Sequence, residues 1–498
     1  MADLKKELGL TDVYVVCTGA MFSAGFFLLP GLATEKAGPS VVLAYFLAGV
    51  IMLPSLLSMA ELSTAMPRAS GSYFFIDRTT GPLMSTIGGI GTWLALVFES
   101  AFALIGIGAY SNLFFDVSIT PVAIALTLAF GALNLFGAKE TTGLQRFLVF
   151  GLIAVMAFFL TEGLVSLTSQ GNELIDRQRF TPLFTEGAYG LLHATAFVFV
   201  AYAGVTKAAS VSEEVIDPDR SIPRGMLFAL ATATVIYVVG VFILVSTLDS
   251  DSLRGDLTPV ASSAEQFMTW LPGEWGLYIV VAAAIAAFAS TGNAGILAAS
   301  RYPLAMAKDK LIPEFFGRMS KSKTPTVAII ATVLIMVFFE LILSPGGVAE
   351  FASATQLLIF SLINLAVIIM RESGIEEYRP GFKSPLYPWM QIFGALGSLI
   401  LVGLLGWTPL ISALALICFG LFWYFYYVKS RVERRGAMYH VFSKIGEERY
   451  EPLSDELREI NEEKEEGQSE EKSVKEEEEK RENEKEEKEE KDKEEDKG

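Results

Sequence analysis

Cysteine and histidine are nearly absent from this 498-residue chain, which has two of each: Cys17, Cys418, His193 and His440. Both cysteines fall inside apolar blocks near opposite ends of the apolar part, so no disulfide framework is implied. Four such residues scattered along the chain do not make a His/Cys metal site either, and no metal or cofactor is expected. No Ser/His/Asp or metal constellation is present, which argues against an enzyme. Charge is scarce as well, but only in places. Val41 to Met59, Ile119 to Phe136, Phe147 to Leu160, Gly225 to Leu248, Val327 to Leu343 and Ser398 to Val428 are almost free of it. A cleavable leader is not evident: the first block follows Lys5 and Lys6 but holds no small-residue cleavage site, so it reads as a retained span.

What is present is apolar surface. Hydrophobic residues make up 52% of the chain and the mean hydropathy is +0.44, values that exclude an ordinary soluble domain. A membrane-crossing helix takes roughly 20 apolar residues, so most of these blocks can span a bilayer and the last can span it twice. The blocks and their Gly/Pro breakers predict twelve helices. They lie near 11–33, 39–66, 81–112, 118–138, 145–168, 188–212, 224–248, 275–308, 325–344, 348–371, 386–406 and 408–430. Pro223 is read as one of the breakers.

Basic residues alternate between the loops. One side carries Lys5, Lys6, Arg68, Arg78, Lys139, Arg146, Arg220, Arg224, Lys308, Lys310, Arg318, Lys321, Lys323, Arg371, Arg379, Lys383 and Arg431. The other carries Arg177, Arg179 and Arg254. The positive-inside rule then places both termini in the cytoplasm of a multi-pass cell-membrane protein embedded in the lipid bilayer. The net charge of −17 belongs mainly to residues 431–498, where 16 Lys+Arg face 27 Asp+Glu. The expected division is a twelve-helix membrane domain at 1–430 and a charged, acidic cytoplasmic tail at 431–498. Within it, Glu462 to Lys497 has no apolar face and reads as disordered or as a lone charged helix held by i,i+4 pairs. Its acidity disfavours nucleic-acid binding.

Two spans are interrupted. The first contains Gly19-Ala20-Met21-Phe22-Ser23-Ala24-Gly25 and then Pro30; the sixth contains Ala201-Tyr202-Ala203-Gly204-Val205-Thr206-Lys207. They stand five helices apart, the spacing of corresponding helices in two inverted repeats. An unwound segment at membrane depth must find partners for its free N–H and C=O groups. The N-terminus of one half-helix suits a carboxylate and the C-terminus of the other suits an ammonium, so facing breaks would hold a zwitterion. Close helix packing is the alternative use of the small residues.

In these motifs the chain resembles the amino acid–polyamine–organocation (APC) superfamily from about Leu10 to Val428. The resemblance is carried by Gly19 to Pro30, Ala60-Glu61-Leu62-Ser63 to Gly71-Ser72-Tyr73, and Asn134 to Lys139. It continues through Glu213 to Pro218, Ile222-Pro223-Arg224-Gly225, Arg301 to Pro313 and Arg379 to Pro385. It implies an all-α integral membrane protein of LeuT-type fold, with a five-plus-five inverted repeat and two further C-terminal helices. It also implies a secondary transporter of amino acids that works by alternating access and is coupled to H+ or Na+. The first break departs from the family's Gly-Ser-Gly, reading Ser23-Ala24-Gly25. Val200 and Thr206 stand where the arginine/agmatine antiporters carry a Trp gate and a Glu. Leu152 stands where some proton-coupled members carry a lysine.

The substrate-binding residues expected on this basis are Met21, Ser23, Ala24, Gly25, Ala203 and Gly204, with Ser100 lining the side-chain pocket. Glu99 lies mid-helix, where an ionisable group costs at least ~2.5 kcal/mol and so is a coupling candidate; Lys207 is its candidate partner in either a functional or a structural pair. Ser290 and Thr291 match the hydroxyl pair that ligates sodium in sodium-coupled relatives. A polyamine or organic-cation carrier, with Glu99 meeting the ammonium, and a non-transporting amino-acid sensor remain as alternatives. No pattern specifies an oligomeric state.

Overall fold

The computed structural model describes residues 6–68, 71–136, 142–169, 179–320, 324–432, 436–439, 458–459 and 462. Lys5, Gly137 to Lys139, Arg177, Lys321, Lys323, His440 and nearly all of the charged tail lie outside the described residues. The described chain is helical, with a single bridge between Leu8 and Val215. Among the described residues, nine helices are long and apolar enough to cross a membrane. Three shorter apolar ones, Ile119–Leu135, Thr326–Ile342 and Trp389–Leu404, bring the apolar helices to the twelve expected.

In chain order TM1 comprises Leu10–Met21 (TM1a), then Ala24–Phe27 and Leu29–Ala37 (TM1b). TM2 is Val41–Ala65, TM3 Pro82–Asn112, TM4 Ile119–Leu135 and TM5 Thr142–Ser169. TM6 comprises Gly187–Val198 (TM6a), a 3-10 stretch Phe199–Val205, and Thr206–Ser210 (TM6b). TM7 is Pro218–Thr247, TM8 Trp275–Lys308, TM9 Thr326–Ile342 and TM10 Pro345–Ser373. TM11 is Trp389–Leu404, and TM12 is Trp407–Trp423 followed by one π turn at Tyr424–Val428.

One boundary corrects the sequence reading. TM7 begins at Pro218, not after Pro223, which lies inside the helix. Pro218 occupies the first turn, where a missing N–H costs nothing, so the helix gains a turn and a half beyond the expected start.

Packing follows a repeat of five. TM1 packs on TM6, TM2 on TM7, TM3 on TM8 and TM4 on TM9. TM5 touches TM1, TM7 and TM8; TM10 touches TM6, TM2 and TM3, which are their counterparts five helices away. The interhelical segments obey the same exchange. The helix Gly71–Thr80 after TM2 contacts TM3, TM6b and TM10, and the helix Pro259–Phe267 after TM7 contacts TM8, TM1b and TM5. An odd number of spans separates those two connections, so they lie on opposite faces, as an inverted repeat requires.

Burial sorts the helices by depth. In TM3 and TM10, 83% of the apolar window is buried, against 28% in TM5 and 22% in TM12. The outer helices turn Leu334, Ile400 and Trp407 outward, as a hydrocarbon solvent allows. Beyond the expected boundary at residue 430 the chain stays packed. The Ala437 N–H donates to the Arg78 carbonyl at 2.9 Å, Ala437 is fully buried, and Gly436 sits against Gly81.

Candidate functional site

The two interrupted helices meet. TM1a stops at Met21; Phe22 (ψ 26°) and Ser23 (ψ −108°) leave helical geometry, and TM1b restarts at Ala24. A restarting helix has no preceding turn to accept its first N–H groups, so those of Ser23, Ala24 and Gly25 are free of the helix ladder. TM6 loosens over Phe199–Val205 into a 3-10 helix. A β-carbon added at Gly204 would lie 2.8 Å from both the Cys17 carbonyl oxygen and the Met21 nitrogen. One added at Gly25 would lie 2.6 Å from the Tyr237 hydroxyl and 2.8 Å from Ala201 Cβ. Each glycine is thus the close-approach point of one break on the other helix.

Hydroxyls hold the carbonyls that the breaks release. Tyr45 of TM2 donates to the Gly25 carbonyl at 2.8 Å, and Tyr202 of TM6 donates to the Tyr45 carbonyl at 2.8 Å. The Tyr237 hydroxyl of TM7 lies 2.5 Å from the Met21 carbonyl oxygen and 3.1 Å from that of Ala201. One hydroxyl proton serves two oxygens there, which leaves acceptor capacity for another donor. Ser353 of TM10 donates to the Phe197 carbonyl at 2.6 Å, and Thr206 donates to that of Ala203 at 2.9 Å. Phe22 and Phe26 complete a ring cluster around Tyr237.

The three tyrosines were absent from the residues expected from sequence. An aromatic in an apolar helix reads as packing or lipid contact, yet a phenol at membrane depth needs a partner, and that was the available signal.

Met21, Ser23, Ala24, Gly25, Ala203 and Gly204 come together at this junction, all of them buried. Ser100 does not join them through its hydroxyl. It donates to the Leu96 carbonyl one turn back at 2.7 Å and packs on Gly295, at the TM3–TM8 seam. Glu99 and Lys207 form an ion pair at 3.3 Å with side chains 11% and 12% exposed, joining TM3 to TM6b. Ser290 and Thr291 lie on TM8, which touches TM1a, and Thr291 is buried.

Ionic contacts tie both ends of TM1 to neighbouring helices. On one side Lys36, at the end of TM1b, meets Glu350 of TM10 at 2.6 Å and lies 4.8 Å above the Phe197 ring. On the other, Arg146 at the start of TM5 holds Asp12 at 2.5 Å. The Glu214 carbonyl there accepts from the Glu7 and Leu8 N–H groups.

The Glu61 carboxylate at the same end of TM2 is fully buried. It accepts two bonds from Arg371 (2.8 and 2.6 Å), two from Ser384 (both 2.8 Å) and one from Tyr378 (3.0 Å). Burial, then the Glu61 charge, keeps the Tyr378 phenol well above the ordinary range, so it stays a donor. This network ties TM2 to TM10 and to the segment leading into TM11. A surface cleft of about 440 Å³ along Val117–Leu126 belongs to TM4 and shares no residue with the junction.

The sequence pattern of the amino acid permease family matches residues 12–435, from the first turn of TM1 to beyond TM12. The branched-chain amino acid permease BcaP of Bacillus subtilis is 27% identical over 451 residues, covering 85% of this chain and 93% of that protein. BcaP of Lactococcus lactis is 26% identical over 416 residues, covering 78% and 87%. The vacuolar cationic amino acid transporter 2 of Arabidopsis thaliana is 28% identical over 404 residues, 77% of this chain but 61% of that longer protein. The helix count, the five-fold packing exchange and this match across nearly the whole apolar part agree: the chain belongs to the amino acid permease family of the APC superfamily, a membrane transporter of amino acids.

Proposed function

We propose that the amino acid binds at the TM1–TM6 junction and crosses by alternating access, TM1, TM2, TM6 and TM7 moving against TM3, TM4, TM8 and TM9. The observation that supports this reading is the mutual contact of the two breaks through Gly25 and Gly204. The N–H groups of Ser23, Ala24 and Gly25 suit the substrate carboxylate. The Met21 and Ala201 carbonyls, which share the Tyr237 hydroxyl, suit its ammonium.

Coupling is assigned to a proton at Glu99. Parting TM6b from TM3 would strand a buried carboxylate without Lys207, and a proton is the species that neutralises it. The basic residues of the loops support a cell-membrane protein with both termini in the cytoplasm. The acidic segment within 431–498 is assigned to a cytoplasmic tail that transport does not need, with Arg458 meeting Glu377 at 3.7 Å.

The test is ligand-induced stabilisation of the purified protein against amino acids and polyamines. Amino acids raise the unfolding midpoint and polyamines do not. Gly25→Val, run as a monodisperse and cooperatively unfolding protein, loses that shift. Retention of wild-type affinity by the variant, or stabilisation by polyamines alone, contradicts the assignment.

A further inference from the structure

We infer that Lys207 is a resident counter-ion that sets side-chain selectivity: by occupying Glu99 it commits the substrate site to amino acids with uncharged side chains and excludes basic ones. The inference rests on the TM1–TM6 junction being the substrate site and adds the class of side chain it takes. The relatives do not decide that class, because their names include both branched-chain and cationic amino acids.

The four helices that frame the junction are TM1, TM3, TM6 and TM8. Their acidic residues are few: Asp12 and Glu35 at the two ends of TM1, and Glu99 in the interior of TM3. Asp12 is bonded to Arg146. Glu99 pairs with Lys207, which follows Gly204 by three residues on the half-helix that leaves the junction, so its carboxylate borders the break in TM6. It is therefore the carboxylate available to a basic side chain in the site. Lys207 stands 3.3 Å from it, and both side chains are close to nine-tenths buried.

A guanidinium or a second ammonium entering there loses its hydration and meets a pair whose net charge is already zero. A branched or linear hydrocarbon side chain carries no charge to desolvate. The surroundings suit it, with Phe22, Phe26, Tyr45 and Tyr202 packed around Tyr237. The pairing is electrostatic without a well-aligned hydrogen bond, for Glu99 Oε1 is buried and accepts none from the described residues. That oxygen keeps acceptor capacity, which removal of Lys207 would release to a basic substrate.

Competition against labelled leucine, measured on the purified full-length protein, tests this. Valine and isoleucine displace leucine from the wild type, whereas arginine and lysine in large excess do not. In Lys207→Met the apparent affinity for arginine rises by at least about tenfold relative to leucine. In Glu99→Gln/Lys207→Met the ratio returns to that of the wild type, because no carboxylate is left to reward the cation.

Should the single lysine variant fail to fold, Glu99→Gln reads the same electrostatics in reverse: the freed Lys207 brings glutamate into competition with leucine. The inference is overturned by arginine displacing leucine from the wild type at similar concentrations. A folded Lys207→Met with no gain for arginine overturns it too, as does a folded Glu99→Gln with no gain for glutamate. Displacement of neither amino acid from the wild type, because neither binds, defeats the reading of the junction as the substrate site and the inference with it.

Discussion

Glu61 and Arg371 are 310 residues apart in sequence and form the most completely satisfied buried ion pair among the described residues. No motif announces this pair. Glu61 stood out as part of a family motif, and its partner could emerge only once TM2 and TM10 were packed together. The energetics are those of a buried charge whose oxygens are all used, so removing one partner strands the other. Glu61→Ala therefore destabilises the protein by about 3–5 kcal/mol, read as a large drop in the thermal unfolding midpoint in detergent. Exposed Arg431, whose guanidinium lies over the Tyr427 ring, serves as the control and changes little on substitution by Ala. An equal midpoint in Glu61→Ala and wild type contradicts the anchoring role. The breaks were more legible than this pair, because glycine and serine inside an apolar span are conspicuous. The tyrosines that bond across the junction were not, since nothing in a single sequence ties Tyr45, Tyr202 and Tyr237 to backbone atoms on other helices.

Elements were read well where composition changes sharply. TM8 at 275–308 was placed to the residue, because charged residues, Glu274 before it and Lys308 to Lys310 at its end, bracket a mostly apolar run. Starts governed by proline were read less well: Pro223 looked like a boundary and is enclosed in TM7, and TM10 begins at Pro345, capped by the Ser344 side chain. The end of the packed chain was also set too early. Ala437 is buried and bonded to the Arg78 carbonyl, a short-range polar and small-residue contact that hydropathy does not register. Two truncations separate these segments. Ending the chain after Gly446 keeps that contact and removes a mostly acidic segment whose described tie to the rest is the exposed Arg458–Glu377 pair at 3.7 Å, so transport kinetics stay near wild type. Ending it after Lys429 removes Gly436 and Ala437 from the junction of Gly71–Thr80 with TM3, and lowers stability and yield. Loss of flux from the longer truncation, with folding intact, would make the tail regulatory.

For the molecule as a whole, the exchange of packing partners between helices five apart is the feature that links fold to function. It builds two similar halves of opposite orientation around one junction, and such a pair can rock to open either face in turn. Ion pairs hold TM1 on both sides, Lys36–Glu350 to TM10 and Asp12–Arg146 to TM5. Opening a side requires breaking its contact, and a ligand drives that change only by binding one state more tightly than the other. Uptake of labelled leucine into proteoliposomes tests the whole account most directly. It predicts saturable flux above that of protein-free liposomes, concentrative under an inward proton gradient and abolished by Gly25→Val, with Glu99→Gln keeping exchange but losing concentration. Flux driven by sodium and unaffected in Glu99→Gln would move coupling to Ser290 and Thr291. Leucine that stabilises the purified protein yet crosses no faster than through empty liposomes would contradict alternating access and leave a sensor.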